Sequence, residues 1–143
     1  MNKINVIDLD KTLLNYDSYT NYLFFFLKKG NIKLFFIVFL RVLRVINEED
    51  FKRKTIIMCR KVKKYDSFLQ YFTDNLIKDI DNKIFEEVQK FTDKETINIL
   101  CSASPDDYVK IMASKLDWQG IGSTVESGKL FHMYGENKKK YIE

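Results

Sequence analysis

Lys3-Ile4-Asn5-Val6-Ile7-Asp8-Leu9-Asp10-Lys11-Thr12-Leu13-Leu14 opens the chain with a mostly apolar run of strand-forming residues that ends in two carboxylates one residue apart. Val and Ile favour the pleated, half-buried surface of a sheet, so residues 3–7 read as a strand. Positions i and i+2 of a strand share a face, and once the chain leaves the sheet the second acid can swing over the first. Two acids at a strand's carboxyl end suit a site that holds a hard cation and attacks an electrophile. The plainer reading of the same string is a strand end with solvated acids, and later segments have to decide between the two.

Composition sets the frame. A chain of 143 residues is long enough for one domain with a real core. Hydrophobic content of 45%, with 15% aromatic residues, fits a folded chain rather than a disordered one. Gly and Pro are scarce, at five and one, so long regular elements should dominate. The net charge of +4 is scattered, which argues against nucleic acid as a partner. Cys59 and Cys101 fit neither a disulfide framework nor a metal-ligand spacing, which points to a reducing compartment, by default the cytoplasm. The amino terminus lacks the basic, apolar and cleavage regions of a secretory leader.

After the first strand, residues 13–18 read as a turn or flap, and Asp17 or Ser18 can cap a helix over 18–29 that Gly30 ends. A second helix is expected over 31–46. Its apolar run Leu34-Phe35-Phe36-Ile37-Val38-Phe39-Leu40 is far short of the roughly 20 residues that span a bilayer. A helix lying on a membrane surface, flanked by Arg41 and Arg44, competes with a packed helix whose arginines reach solvent, and the packed reading is preferred. Asn47-Glu48-Glu49-Asp50 starts a helix to about residue 63, whose terminal basic cluster is what a helix carboxyl end favours. Asp66 or Ser67 is expected to cap a helix to about residue 80, and Asp81 or Asn82 one to about residue 91. Such an insert is too long for an ordinary crossover between parallel strands, so it reads as a helical cap over the active end of the sheet.

Thr96-Ile97-Asn98-Ile99-Leu100-Cys101 is a second buried-type strand, turned into a helix by Ser102-Ala103-Ser104-Pro105-Asp106-Asp107. Ser104 as cap, Pro105 in the first helical position and Asp107 reaching back make a sufficient structural account of Ser104. Ser102 sits where open parallel sheets bind ligands, and a hydroxyl there suits a phosphate oxygen. Residues 118–126 read as a third strand, and Ser127-Gly128 turns the chain into 129–133. Gly120-Ile121-Gly122 is weak evidence for a nucleotide site, since no helix follows it. His132 reads as a structural or surface residue.

Taken in order, these segments resemble haloacid-dehalogenase-like phosphohydrolases, in their phosphoserine-phosphatase-like branch. Asp8-Leu9-Asp10-Lys11-Thr12 resembles the family's DxDx[TV] motif. Leu100-Cys101-Ser102-Ala103-Ser104-Pro105 resembles its second motif, and Gly135-Glu136-Asn137-Lys138 its third. The resemblance implies an α/β fold, a Rossmann-like parallel sheet core over 1–16 and 92–143, incomplete, with a helical cap over 17–91 inserted after the first strand. It implies a magnesium-dependent phosphomonoester hydrolase acting on a small phosphorylated metabolite. Asp8 would be the nucleophile and Asp10 the acid–base partner, with Thr12, Ser102 and Lys138 on the phosphate and Asp8 and the Asp10 backbone carbonyl on Mg2+. Lys139 is the runner-up to Lys138 in the three-lysine run.

The family's fourth, acidic motif has no counterpart after Lys138. The expectations that follow are weakened metal affinity, a first strand with an exposed apolar edge open to dimerisation, and a truncated chain or disrupted gene, ahead of a natural short form. A catalytically incomplete phosphatase-like protein that binds a ligand, a partner or, through 32–46, a membrane surface is the alternative.

Overall fold

The computed structural model describes residues 2–142. Strand β1 (Lys3–Ile7) leads into one wide turn over Leu9–Leu13, and helices α1 (Ser18–Lys28), α2 (Ile32–Val42), α3 (Glu48–Arg60), α4 (Tyr65–Lys78) and α5 (Asn82–Lys90) follow. Strand β2 (Thr96–Pro105), helix α6 (Asp106–Lys115), strands β3 (Gln119–Glu126) and β4 (Lys129–Phe131) and helix α7 (Glu136–Ile142) complete it. The sheet order is β1-β2-β3-β4, with β1, β2 and β3 parallel and β4 antiparallel to β3. The protein is therefore an α/β fold with a mostly parallel sheet and helices inserted after its first strand.

Register follows from side-chain pairing. Asn5 lies opposite Asn98, and Asn5 Nδ2 donates to Asn98 Oδ1 at 2.9 Å, a side-chain bond that a slip by one residue would break. Ile7 pairs with Leu100, which brings the acids after β1 and the serines at the end of β2 to the same end of the sheet. Strand β1 is an edge strand, with Ile4 and Val6 exposed.

Gly120 and Gly122 have a packing role. A Cβ at Gly120 would lie 2.8 Å from the Ala113 Cβ, and one at Gly122 would lie 2.6 Å from both the Asp106 Cα and the Ser104 carbonyl oxygen. Only glycine lets β3 pass this close to α6 and the end of β2.

The inserted helices pack directly on α6. Tyr22 and Phe26 of α1, Phe72 of α4 and Tyr108 of α6 form one aromatic cluster, with Tyr22 and Tyr108 centroids 5.3 Å apart and Phe72 and Tyr108 also 5.3 Å apart. Such offset and edge-on pairs add to the area they bury. Arg60 at the end of α3 clasps Asp107 with two bonds, at 2.6 and 2.8 Å, and donates to the Val125 carbonyl at 2.8 Å. The basic cluster at that helix end thus includes a specific tie to α6 and β3.

Several expected boundaries move. Helix α2 ends at Val42 instead of residue 46, and α3 at Arg60. Helix α4 starts at Tyr65 after Lys64 in a left-handed conformation (φ +63°), without a side-chain cap from Asp66 or Ser67. Pro105, not Ser104, precedes α6, and no side chain caps that helix. Asp107 points to Arg60 and Tyr65 because a bidentate guanidinium outcompetes a single amide for a carboxylate. Only one stripe of α2 is packed, with Leu34 and Ile37 buried and Phe35, Phe36 and Phe39 in solvent.

Candidate active site

The turn after β1 fixes the two acids. Asp8 is extended, and main-chain bonds from Leu13 N to Asp8 O (3.4 Å) and Leu14 N to Leu9 O (2.9 Å) close the turn around them. Lys11 takes φ +56°, a conformation costly for a residue with a Cβ. Buried Leu9, Leu13 and Leu14 anchor the turn from below. Asp8 and Asp10 are left facing a cavity of about 990 Å3, lined also by Lys11, Asp17, Glu48, Ala103, Met133, Tyr134, Gly135, Lys138 and Lys139.

Asp8 and Asp10 have different surroundings. Lys138 Nζ donates to Asp8 Oδ1 at 2.9 Å, and among the described residues no other side chain bonds the half-exposed Asp8 carboxylate. Its second oxygen is free for an electrophile. Asp10 Oδ1 accepts from the Ser18 main-chain N–H at 2.7 Å, at the start of α1, where the helix dipole favours negative charge. Asp10 Oδ2 accepts from Ser102 Oγ at 3.1 Å and Ser104 Oγ at 2.6 Å. Ser104 N–H donates to Ser102 Oγ at 3.0 Å, and Ser18 Oγ lies 3.2 Å from Ser104 Oγ and 2.8 Å from the buried Tyr108 hydroxyl. Burial pushes that phenol well above its ordinary pKa, so it stays protonated.

Asp8, Asp10 and Lys138 thus line one cavity, and the fully buried Ser102 reaches it only through Asp10. Thr12 is exposed on the turn and does not line the cavity, and Lys139 lines it without a bond to Asp8. Ser104 belongs to the site through Asp10. Its Ser-Pro context imitates a helix start, and that hid the role in the sequence.

Lys52 gave no sequence signal, since it lies among charged residues on α3. It is only 6% exposed, with Nζ donating to the Ala103 carbonyl at 2.9 Å, 3.1 Å from His132 Nε2 and 5.1 Å from the Tyr19 ring centroid. Burial lowers its pKa, and burial followed by the Lys52 charge lowers that of His132. A neutral His132 with Nε2 unprotonated accepts this bond. The Ala103 carbonyl also accepts from Ser123 Oγ at 2.6 Å, and Ser123 Oγ accepts from Met133 N–H at 2.9 Å. The backbone between Ser102 and Ser104 is thereby tied both to α3 and to the segment leading to Lys138. Lys52, Tyr19, Arg41 and Ser104 line a smaller neighbouring cavity of about 450 Å3 that shares Asp10, Asp17 and Glu48.

Among the described residues, no three Asp, Glu, His or Cys side chains group to hold a metal. Asp10 has both oxygens engaged, so the direct donors on offer are one Asp8 oxygen and main-chain carbonyls. Octahedral magnesium would draw its remaining oxygens from water and a phosphate group. These residues do not form a magnesium site by themselves.

No protein-family model and no curated protein matches the sequence. Two solved structures do match the fold. A protein of unknown function from Bordetella pertussis Tohama I superposes with a TM-score of 0.79 at 14% identity, covering 99% of this chain and 73% of that one. A phosphoserine phosphohydrolase-like protein from Francisella tularensis subsp. tularensis SCHU S4 superposes with a TM-score of 0.55 at 20% identity, covering 96% and 67%. At these identities the likeness is one of fold, and it sets this chain's sheet and inserted helices beside those of a phosphoserine phosphohydrolase-like protein.

Proposed function

We propose that the protein is a phosphomonoester hydrolase acting through an aspartyl-phosphate on a small phosphorylated metabolite, in the cytoplasm. The observation that carries this reading is the meeting at one cavity of Asp8, with one oxygen free and the other on Lys138, and Asp10, which Ser102 and Ser104 hold from behind. Asp8 attacks phosphorus, forming an acyl phosphate as the bond to the leaving oxygen breaks. Asp10 gives that oxygen a proton, then takes one from a water that attacks phosphorus and frees Asp8. To do so Asp10 releases a serine. Ser102, the longer contact, is the one released, while Ser104 and the Ser18 amide keep the carboxyl oriented. Lys138 offsets the charge that builds on the phosphoryl group. Magnesium is the cofactor that the family resemblance implies, and when bound it would neutralise phosphoryl charge.

Hydrolysis of a generic aryl phosphate by the wild-type chain, with magnesium present, tests the reading. Asp8→Asn is expected to abolish turnover while circular dichroism stays unchanged, and undiminished activity in that variant rejects the assignment. The sparse metal donors favour a second reading, a phosphatase-like protein that binds ligand without turnover. Calorimetry with magnesium and a phosphate mimic, run beside the turnover assay, separates the two, since folded protein that binds the mimic but does not hydrolyse the aryl phosphate supports the second.

A further inference from the structure

The exposed side of α2 has no place in the chemistry above. Ile32 (82% exposed), Phe35 (64%), Phe36 (59%), Phe39 (49%) and Val42 (73%) recur at helical spacing on one face, opposite the stripe that Leu34 and Ile37 bury. Taking about 200 Å2 for a whole phenylalanine side chain, the three rings alone leave roughly 350 Å2 of apolar surface open. That already matches the largest apolar patch of an ordinary monomer, and Ile32 and Val42 extend it.

Charge identifies the occupant. From residue 18 to residue 47 the chain has no Asp or Glu and five cations, Lys28, Lys29, Lys33, Arg41 and Arg44. All but Arg41 are exposed, and Lys29 and Lys33 share with Lys61 a shallow notch at the start of α2 that no acid lines. Two copies meeting through this face would set the exposed cations Lys28, Lys29, Lys33 and Arg44 against their own kind, with no acid on α1 or α2 to pair them. An anionic bilayer complements both parts at once, apolar rings entering the acyl boundary and cations meeting headgroup phosphates. No helix among the described residues is long and apolar enough to cross a membrane, so the contact would be peripheral.

We infer that α2 docks the protein on the surface of an anionic bilayer. Co-sedimentation with sucrose-loaded vesicles tests this, using phosphatidylcholine alone and phosphatidylcholine mixed with phosphatidylglycerol. The expected result is binding about tenfold or more stronger to the anionic vesicles, reversed by high salt. The triple variant Phe35→Ser/Phe36→Ser/Phe39→Ser, which alters only solvent-facing rings, should lose binding to the anionic vesicles. Lys33→Glu/Arg44→Glu should remove the preference for them. Three outcomes overturn the inference: no binding by folded protein, equal binding to both vesicle types, or equal binding by the triple variant. Sedimentation velocity adds a fourth, a dimer that the triple variant dissociates, which would assign the face to a second copy.

Discussion

Among the described residues, the Asp8 carboxylate accepts one hydrogen bond from a side chain, that of Lys138, whereas Asp10 accepts three bonds, from Ser18, Ser102 and Ser104. A nucleophile needs a free lone pair and a neighbouring cation, and an acid–base group needs fixed orientation, so the two environments match the two proposed tasks. Lys138→Ala should lower kcat by about a hundredfold or more, the usual loss for one preorganised charge contact on a transition state. Lys139→Ala, which removes no bond to Asp8, should stay within about threefold, as surface charges do. Steady-state kinetics on both variants settles the register of the lysine run.

Asp107 makes a prediction about pH. Burial alone would raise its pKa, but the bonds from Arg60 and Tyr65 win and hold it below the ordinary value of 3.8. A depressed folded-state pKa stabilises the protein above the unfolded value, and the contribution fades as pH falls through the folded one. Urea midpoints should therefore drop as pH falls below about 4, and Asp107→Asn should flatten that acid limb. At neutral pH the same variant should cost about 2 kcal/mol, in the range for a bond to a charged group with one partly exposed partner.

At the level of elements, the close passage of β3 under α6 and the end of β2 sets where Ser104 sits. Gly122→Ala would press a methyl group against the Ser104 carbonyl oxygen and the Asp106 Cα, and backbone cannot yield as a side-chain tip can. A loss of about 1–3 kcal/mol is expected, read as a lowered thermal midpoint, with reduced activity because Ser104 shifts under Asp10. This glycine was legible only as part of a weak Gly-x-Gly string, since its reason lies in an approach between distant segments. The strand-and-acid pattern at 3–10 was legible because the period of a strand and its abrupt end are both local. Helix α2 was half legible. Its periodicity marks a helix, but three Phe on the solvent side look in sequence like three Phe in a core.

Across the whole molecule, the inserted helices and the sheet share one hydrophobic core from Ile7 through Tyr22, Phe26 and Phe72 to Tyr108 and Trp118. Ser102 and Lys138 were singled out through the family resemblance, and the structure sets Lys138 on Asp8 and Ser102 inside β2, behind Asp10. Lys52 could not be singled out from the sequence, because its burial arises only when α3 meets the Ala103 carbonyl and His132. The central claim is a covalent intermediate on Asp8. Acid quench during turnover of an aryl phosphate, borohydride reduction and peptide mass spectrometry test it directly, because reduction turns an aspartyl-phosphate into homoserine. The account predicts homoserine at position 8, dependent on substrate and absent from Asp8→Asn. Turnover with an unmodified Asp8, or with the modification at another residue, would contradict it.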